Sequence, residues 1–301
     1  MTELEGQRMS AITYRFRLFW RYLKVALSSK VKLTINVMGN EETVDYILKN
    51  NSSVVRFGEG EVQLMCGGNL DFQAFDQKLA NRMKEILTIP SSEKFIVCVP
   101  DVFQNVHRFR FPVQCWWQQH LQKYQQFYQN TCTSDWYGSA FISRPYMDWK
   151  KKEIRGGYFD KLKELWEHRD LLIVEGRFSR SGVGNDLFDN ANSIQRILCP
   201  PQNAYDRYDE IVSCVKANAE DKLILIMLGP TAKVLAYDLH LDGLQAIDLG
   251  HLDSEYEWCK MGVRRKVKIA NKHTAEYNYD HDVMPIDDTV YQSQIIADLS
   301  L

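Results

Sequence analysis

Lys222-Leu223-Ile224-Leu225-Ile226-Met227-Leu228-Gly229-Pro230-Thr231 is the most hydrophobic stretch of the chain, and it ends in a turn. From Leu223 to Leu228 no polar residue interrupts the run. A strand of this kind is covered on both faces, as in a parallel sheet with helices on either side. Gly229-Pro230 breaks the run, and Ala232 to Leu241 then carries a helical pattern. Upstream, Tyr205 to Asn218 reads as a helix. Downstream, Leu244-Gln245-Ala246-Ile247-Asp248-Leu249-Gly250 reads as another strand.

Working outward, the same grammar repeats. Val54-Val55 is a buried strand after a short helix from Glu41 to Asn50, and Phe72 to Leu87 has helical spacing. Phe95 to Val99 is a strand stopped by Pro100-Asp101. Trp116 to Tyr128 is an aromatic, glutamine-rich helix whose Trp116-Trp117 pair reads as core or as a sugar-stacking platform. Tyr158 to His168 is an amphipathic helix, Leu171 to Val174 a strand, and Ser193 to Leu198 a strand or a short helix. Val31 to Ile35 alternates like a strand. Strands separated by helices of this length are βαβ units. The expected fold is therefore α/β: a Rossmann-like, mostly parallel sheet flanked by helices. Residues 31–265 are expected to form this domain, 1–30 an N-terminal amphipathic helix, and 266–301 a C-terminal cap or tail.

Composition narrows the function. The chain is 45% hydrophobic and 25% charged with net charge −2, so no basic field points to nucleic acid. Its seven cysteines are scattered singly without a CxxC, which points to a reducing, cytoplasmic location rather than to a disulfide framework. No run reaches the ~20 apolar residues of a membrane span. Tyr14 to Lys24 is basic, aromatic and helically periodic. It can pack on its own domain, lie on a membrane surface or dock on a partner protein.

Four strand ends carry polar chemistry, and in a parallel sheet all four share one edge, where ligands bind. The first is Arg56-Phe57-Gly58-Glu59-Gly60-Glu61. Glu59 and Glu61, read as a glycine-punctuated turn, make a hard-oxygen site for Mg²⁺ or Mn²⁺, with Arg56 as a fork for phosphate. The second runs from Glu175 to Asp186. Arg177 and Arg180 offer guanidinium forks, Ser179 and Ser181 hydroxyls, Asn185 an amide, and Gly182 and Gly184 an anion-binding nest. It matches neither a Walker A loop nor GxGxxG. The third is Gly229-Pro230-Thr231, a strand-to-helix turn suited to a diphosphate. The fourth offers His251, Asp253, Glu255 and Glu257; for the histidine, two residues before an aspartate, metal ligation, general base work and sugar-hydroxyl binding all stay open. Together these features suit a donor carrying a nucleoside diphosphate, whose departing charge a metal and arginines neutralise.

Five ordered blocks, at 55–61, 172–176, 179–191, 228–232 and 247–258, resemble the GT-D type bacterial glycosyltransferases of accessory secretion and surface-polysaccharide clusters, over about residues 40–265. The resemblance implies a UDP-sugar donor, often UDP-glucose, and a divalent metal near a DxE motif whose first position here is Glu59. It implies a glycan or glycoprotein acceptor, with hexosyl transfer as the reaction. By this resemblance Glu59 and Glu61 serve the metal and diphosphate. Arg177, Arg180 and Asn185 face the donor, Gly229 to Thr231 line the nucleotide, and His251, Asp253 and Glu255 contact metal, sugar or acceptor. A phosphohydrolase or nucleotidyl enzyme, or a non-catalytic partner of another glycosyltransferase, would use the same residue types.

Overall fold

In a computed structural model, the described residues are 13, 16, 17, 19, 20, 23, 33–151, 156–274 and 283–301. Most of the expected N-terminal helix lies outside them; the six described residues are helical, with Phe16, Phe19 and Trp20 exposed.

The strands are β1 (Ser53–Arg56), β2 (Phe95–Val99), β3 (Gly138–Ser139), β4 (Asp170–Gly176), β5 (Ser193–Cys199), β6 (Leu223–Met227), β7 (Ala246–Asp248) and β8 (Ile295–Asp298). They form one sheet in the order β3-β2-β1-β7-β6-β4-β5-β8, and every pairing is parallel. From β1 the chain steps outward to β2 and β3. From β4 it steps the other way to β5, and β6 and β7 then fill the middle.

The helices are α1 (Asn40–Asn50), α2 (Glu59–Met65), α3 (Gln77–Leu87), α4 (Phe111–Thr131), α5 (Gly156–Lys163), α6 (Tyr208–Asn218), α7 (Thr231–Leu241), α8 (Leu252–Lys260) and α9 (Thr289–Gln294). They cover both faces. Ile224 and Ile226 of β6 and Leu172 and Val174 of β4 belong to the core shared with α3, α6 and α7. Their neighbours Leu223, Leu225, Leu171 and Ile173 belong to the opposite core, with α1, α5 and α8. Strict alternation of facing, with apolar residues at every position, explains why these strands read as unbroken runs. Each such side chain contributes roughly 1.5–3 kcal/mol on burial.

Three local expectations are corrected, and one left open between strand and helix is decided. Residues 33–36 form no strand, and Val37 makes only an isolated bridge to Tyr137. The helix expected from Phe72 starts at Gln77, where Asp76 caps it by accepting from the Leu79 N–H. The ambiguous Ser193 stretch is a strand paired along its whole length with β4. The stretch from Glu59 is not a turn but the first turn of α2: Gly58 is its N-cap, and its N–H donates to Glu61 Oε2 at 2.8 Å. That bond is half of a capping box, in which a glutamate three residues in reaches back to the cap. In the tail, β8 joins the main sheet beside β5.

Candidate active site

A cleft of about 400 Å³ opens across the carboxyl ends of the strands, within the usual size of a small-molecule site. The segments after β1, β3, β4, β5, β6 and β7 all line it, as do a tight turn at residues 69–73 and His273.

Its floor is a buried ionic chain. Arg56 Nε donates to the Asp248 carbonyl at 2.7 Å, Nη2 to Asp248 Oδ1 at 3.0 Å and Nη1 to the Ala140 carbonyl at 3.1 Å. Lys233 Nζ bridges Asp248 Oδ2 at 3.1 Å and Glu61 Oε1 at 2.8 Å, and donates to the Gly229 carbonyl at 3.0 Å. Burial alone would raise the Asp248 carboxyl, but Arg56 and Lys233 outweigh it and hold the group below its usual range. Two cations and two carboxylates leave the chain neutral. Gly250 lets it assemble: its φ is +49°, and a Cβ there would sit 2.2 Å from Arg56 Nη2.

The expected roles of Arg56 and Glu61 change accordingly. Both line the cleft, yet the Arg56 fork is spent on Asp248 and Ala140. Both Glu61 oxygens are taken, by the Gly58 N–H and by Lys233. Glu59 differs: its side chain is 35% exposed, faces the cleft and has Arg144 at 3.6 Å. Among the described residues no group of three or more metal-type side chains occurs. The donor set thus suits an ion that arrives with phosphate oxygens and takes one carboxylate, that of Glu59. Glu61, already bonded to the Gly58 N–H and to Lys233, is the less available of the two expected ligands.

Ser179, Gly229, Pro230 and His251 also line the cleft. Six expected contacts do not. Arg177 turns to Ser300 Oγ at 3.0 Å and Asp298 at 3.7 Å. Arg180 donates to the carbonyls of Asn271 and Met284. Asn185 donates to Asp253 Oδ1 at 2.9 Å and Glu257 Oε1 at 2.6 Å. Thr231 is fully buried as the first residue of α7. Asp253 accepts from Lys272, and Glu255 Oε2 accepts the backbone N–H groups of Tyr146 and Met147. Burial raises both of these carboxyls, against the pull of Lys272 on Asp253 and of Arg144 on Glu255. Arg180, Asn185, Asp253 and Glu255 instead hold neighbouring segments together outside the cleft. Neither tryptophan of the expected platform lines the cleft: Trp117 is core against Phe141, and Trp116 stacks on His120. Burial lowers the His120 pKa to about 4.

The residues the reading missed are Arg144, Lys233, Phe72, Asn203 and His273. Phe72 packs over Gly229, where a Cβ would lie 2.9 Å from its Cε2, and Asn203 Oδ1 holds the 69–74 turn through the Ala74 N–H at 2.7 Å. Lys233 was findable, two residues past the Gly229-Pro230-Thr231 turn. Arg144 follows a two-residue strand that leaves no pattern.

An all-parallel sheet with a polar cleft across its carboxyl ends defines a Rossmann-like α/β enzyme domain. A family model described as the glycosyltransferase GT-D fold matches residues 54–277. A Streptococcus gordonii protein described as a probable glycosyl transferase, Gly, is 48% identical over 92% of this chain and 41% of its own length. The glycosyltransferase GlyD of Streptococcus pneumoniae serotype 4 is 51% identical over 87% of this chain and 32% of its own. The chain thus spans less than half the length of either relative. A solved structure described as a new glycosyltransferase from Streptococcus sanguinis is 51% identical, with a TM-score of 0.87 over 88% of this chain and 100% of that one. Another, described as domain of unknown function 1792 with a distinct glycosyltransferase fold, is 50% identical, with the same TM-score of 0.87 over 94% and 99%. The chain belongs to the GT-D family of glycosyltransferases.

Proposed function

We propose that the cleft binds a UDP-sugar with a divalent cation, Mn²⁺ or Mg²⁺, and moves a hexose, glucose first among candidates, to a glycan acceptor on a surface glycoprotein or polysaccharide. The observation that carries this reading is the meeting of the Gly229-Pro230 turn, Glu59 and Arg144 on one cleft above a self-neutralised ionic floor. The floor carries no net charge, and Glu59 and Arg144, paired at 3.6 Å, face the cleft above it. Glu59 would hold the ion on the diphosphate; when bound, that ion neutralises the charge developing on the departing UDP. Arg144 pairs with phosphate oxygens, the Gly229-Pro230 turn brings backbone close to them, and His251 takes the acceptor hydroxyl proton. Seven free cysteines suit a reducing, cytoplasmic setting. Among the described residues no helix is long and apolar enough to cross a membrane.

Titration calorimetry with UDP and a panel of UDP-hexoses, with and without Mn²⁺, tests this. We expect metal-dependent UDP binding and slow UDP release from one sugar. No binding and no release would end the reading. Release of inorganic phosphate instead would make the protein a hydrolase.

A further inference from the structure

Residues expected at a phosphate grip a strap formed by residues 266–274 instead. The His273 N–H donates to the Phe178 carbonyl at 2.7 Å, and Arg180 Nη1 donates to the Asn271 carbonyl at 2.6 Å. Between these contacts Lys272, 5% exposed, donates to both Asp253 oxygens at 3.0 and 2.9 Å and to Glu257 at 3.0 Å. Asp253 Oδ1 also accepts the Gly182 N–H at 2.8 Å, so one carboxylate joins strap, loop and α8. These bonds tie the strap to α8 through a buried ammonium, whose partners cannot be removed singly without leaving a buried charge. The geometry fixed here is that of one side chain. Lys272 and Thr274 are buried on either side, and His273 lines the cleft next to Phe178 and Ser179.

We propose that His273 contacts the nucleoside half of the donor, and that Lys272 is its positioning residue. This rests on the reading of the cleft as a nucleotide-sugar site. His273 is anchored at the end of β4, three strands from β1 in the sheet order, hence about 14 Å from the Glu59 side at the usual strand spacing. That separation matches an extended nucleoside diphosphate, with its phosphates toward Glu59 and its ribose and base toward His273.

Calorimetry with UDP and with uridine monophosphate tests the assignment, alongside thermal unfolding. His273→Ala should weaken both ligands by about tenfold, the loss of one good hydrogen bond, with the melting midpoint and the Mn²⁺ dependence unchanged. His273→Gln, which keeps a donor, should lose less. Lys272→Met should raise KM for the donor more than it lowers kcat, and Lys272→Arg should restore most of it. In the wild type, UDP should shift the His273 imidazole NMR signals, a readout that no misfolded variant can obscure. Wild-type affinity in His273→Ala, or no shift of those signals on saturation with UDP, would overturn the assignment alone. A wild type that binds no UDP would end it together with the donor reading.

Discussion

One buried ionic cluster floors the cleft, another lies behind its wall, and the carboxyls of their aspartates are shifted in opposite directions. Asp248 meets two cations, Arg56 and Lys233, and its carboxyl is pushed down. Asp253 is also buried but meets one, Lys272, which also serves Glu257, and its carboxyl is pushed up. The first cluster is the cleft floor, and the second is a clasp behind the wall. Two aspartates five residues apart, at the end of β7 and in the first turn of α8, thus do different work, and the number of cations supplied by distant parts of the chain decides which.

The largest expected effect comes from breaking the floor. Asp248→Ala strands two buried cations and should cost about 3–5 kcal/mol in urea denaturation, with UDP binding lost. Retention of full stability would mean the floor relaxes into water. Gly250→Ala comes next. A β-carbon on Arg56 Nη2 at positive φ should cost about 1–3 kcal/mol and lower turnover, read by thermal unfolding and UDP release.

Breaking the clasp sharpens the contrast through pH. In Lys272→Met, Asp253 can escape its unpaired state by taking up a proton, as a group with a raised pKa does readily. The loss should be about 2 kcal/mol at pH 8 and smaller at pH 5. In the wild type the two aspartates pull oppositely. Asp248, depressed when folded, stabilises above its unfolded pKa near 3.9, and that contribution is lost as pH falls through the folded value. Asp253, raised when folded, adds stability as pH falls from its folded value toward 3.9. Chemical denaturation from pH 3 to 8 of the wild type and Asp253→Asn separates the two. The smallest stability effect belongs to Glu59→Gln: within about 0.5 kcal/mol of wild type, as for other surface changes, while metal-dependent UDP affinity falls. Glu61→Gln reverses that order, with stability falling first because Lys233 loses one of its two carboxylate partners.

Much of the fold was legible because parallel strands buried on both faces leave unbroken apolar runs, as at 171–174 and 223–228. β3 and β8 were not: two or four residues at a sheet edge carry no such signature. The glycines around Glu59 suggested a turn, although Gly58 and Glu61, three apart, already carried the capping signal of α2. At the site, the convergence of the strand ends was readable, and the facing of individual side chains was not. Arg180, Asn185 and Asp253 hold the right chemistry but turn to partners at 271, 257 and 272.

Local pattern alone determined the central strands and most of the helices between them, the burial of the sheet on both faces, and the edge at which polar groups gather, because period and polarity are written residue by residue. Tertiary structure alone decided which charges neutralise one another and which remain for a ligand. A guanidinium or carboxylate bonds whichever partner is nearest in space, and for Arg56 that partner is 192 residues away.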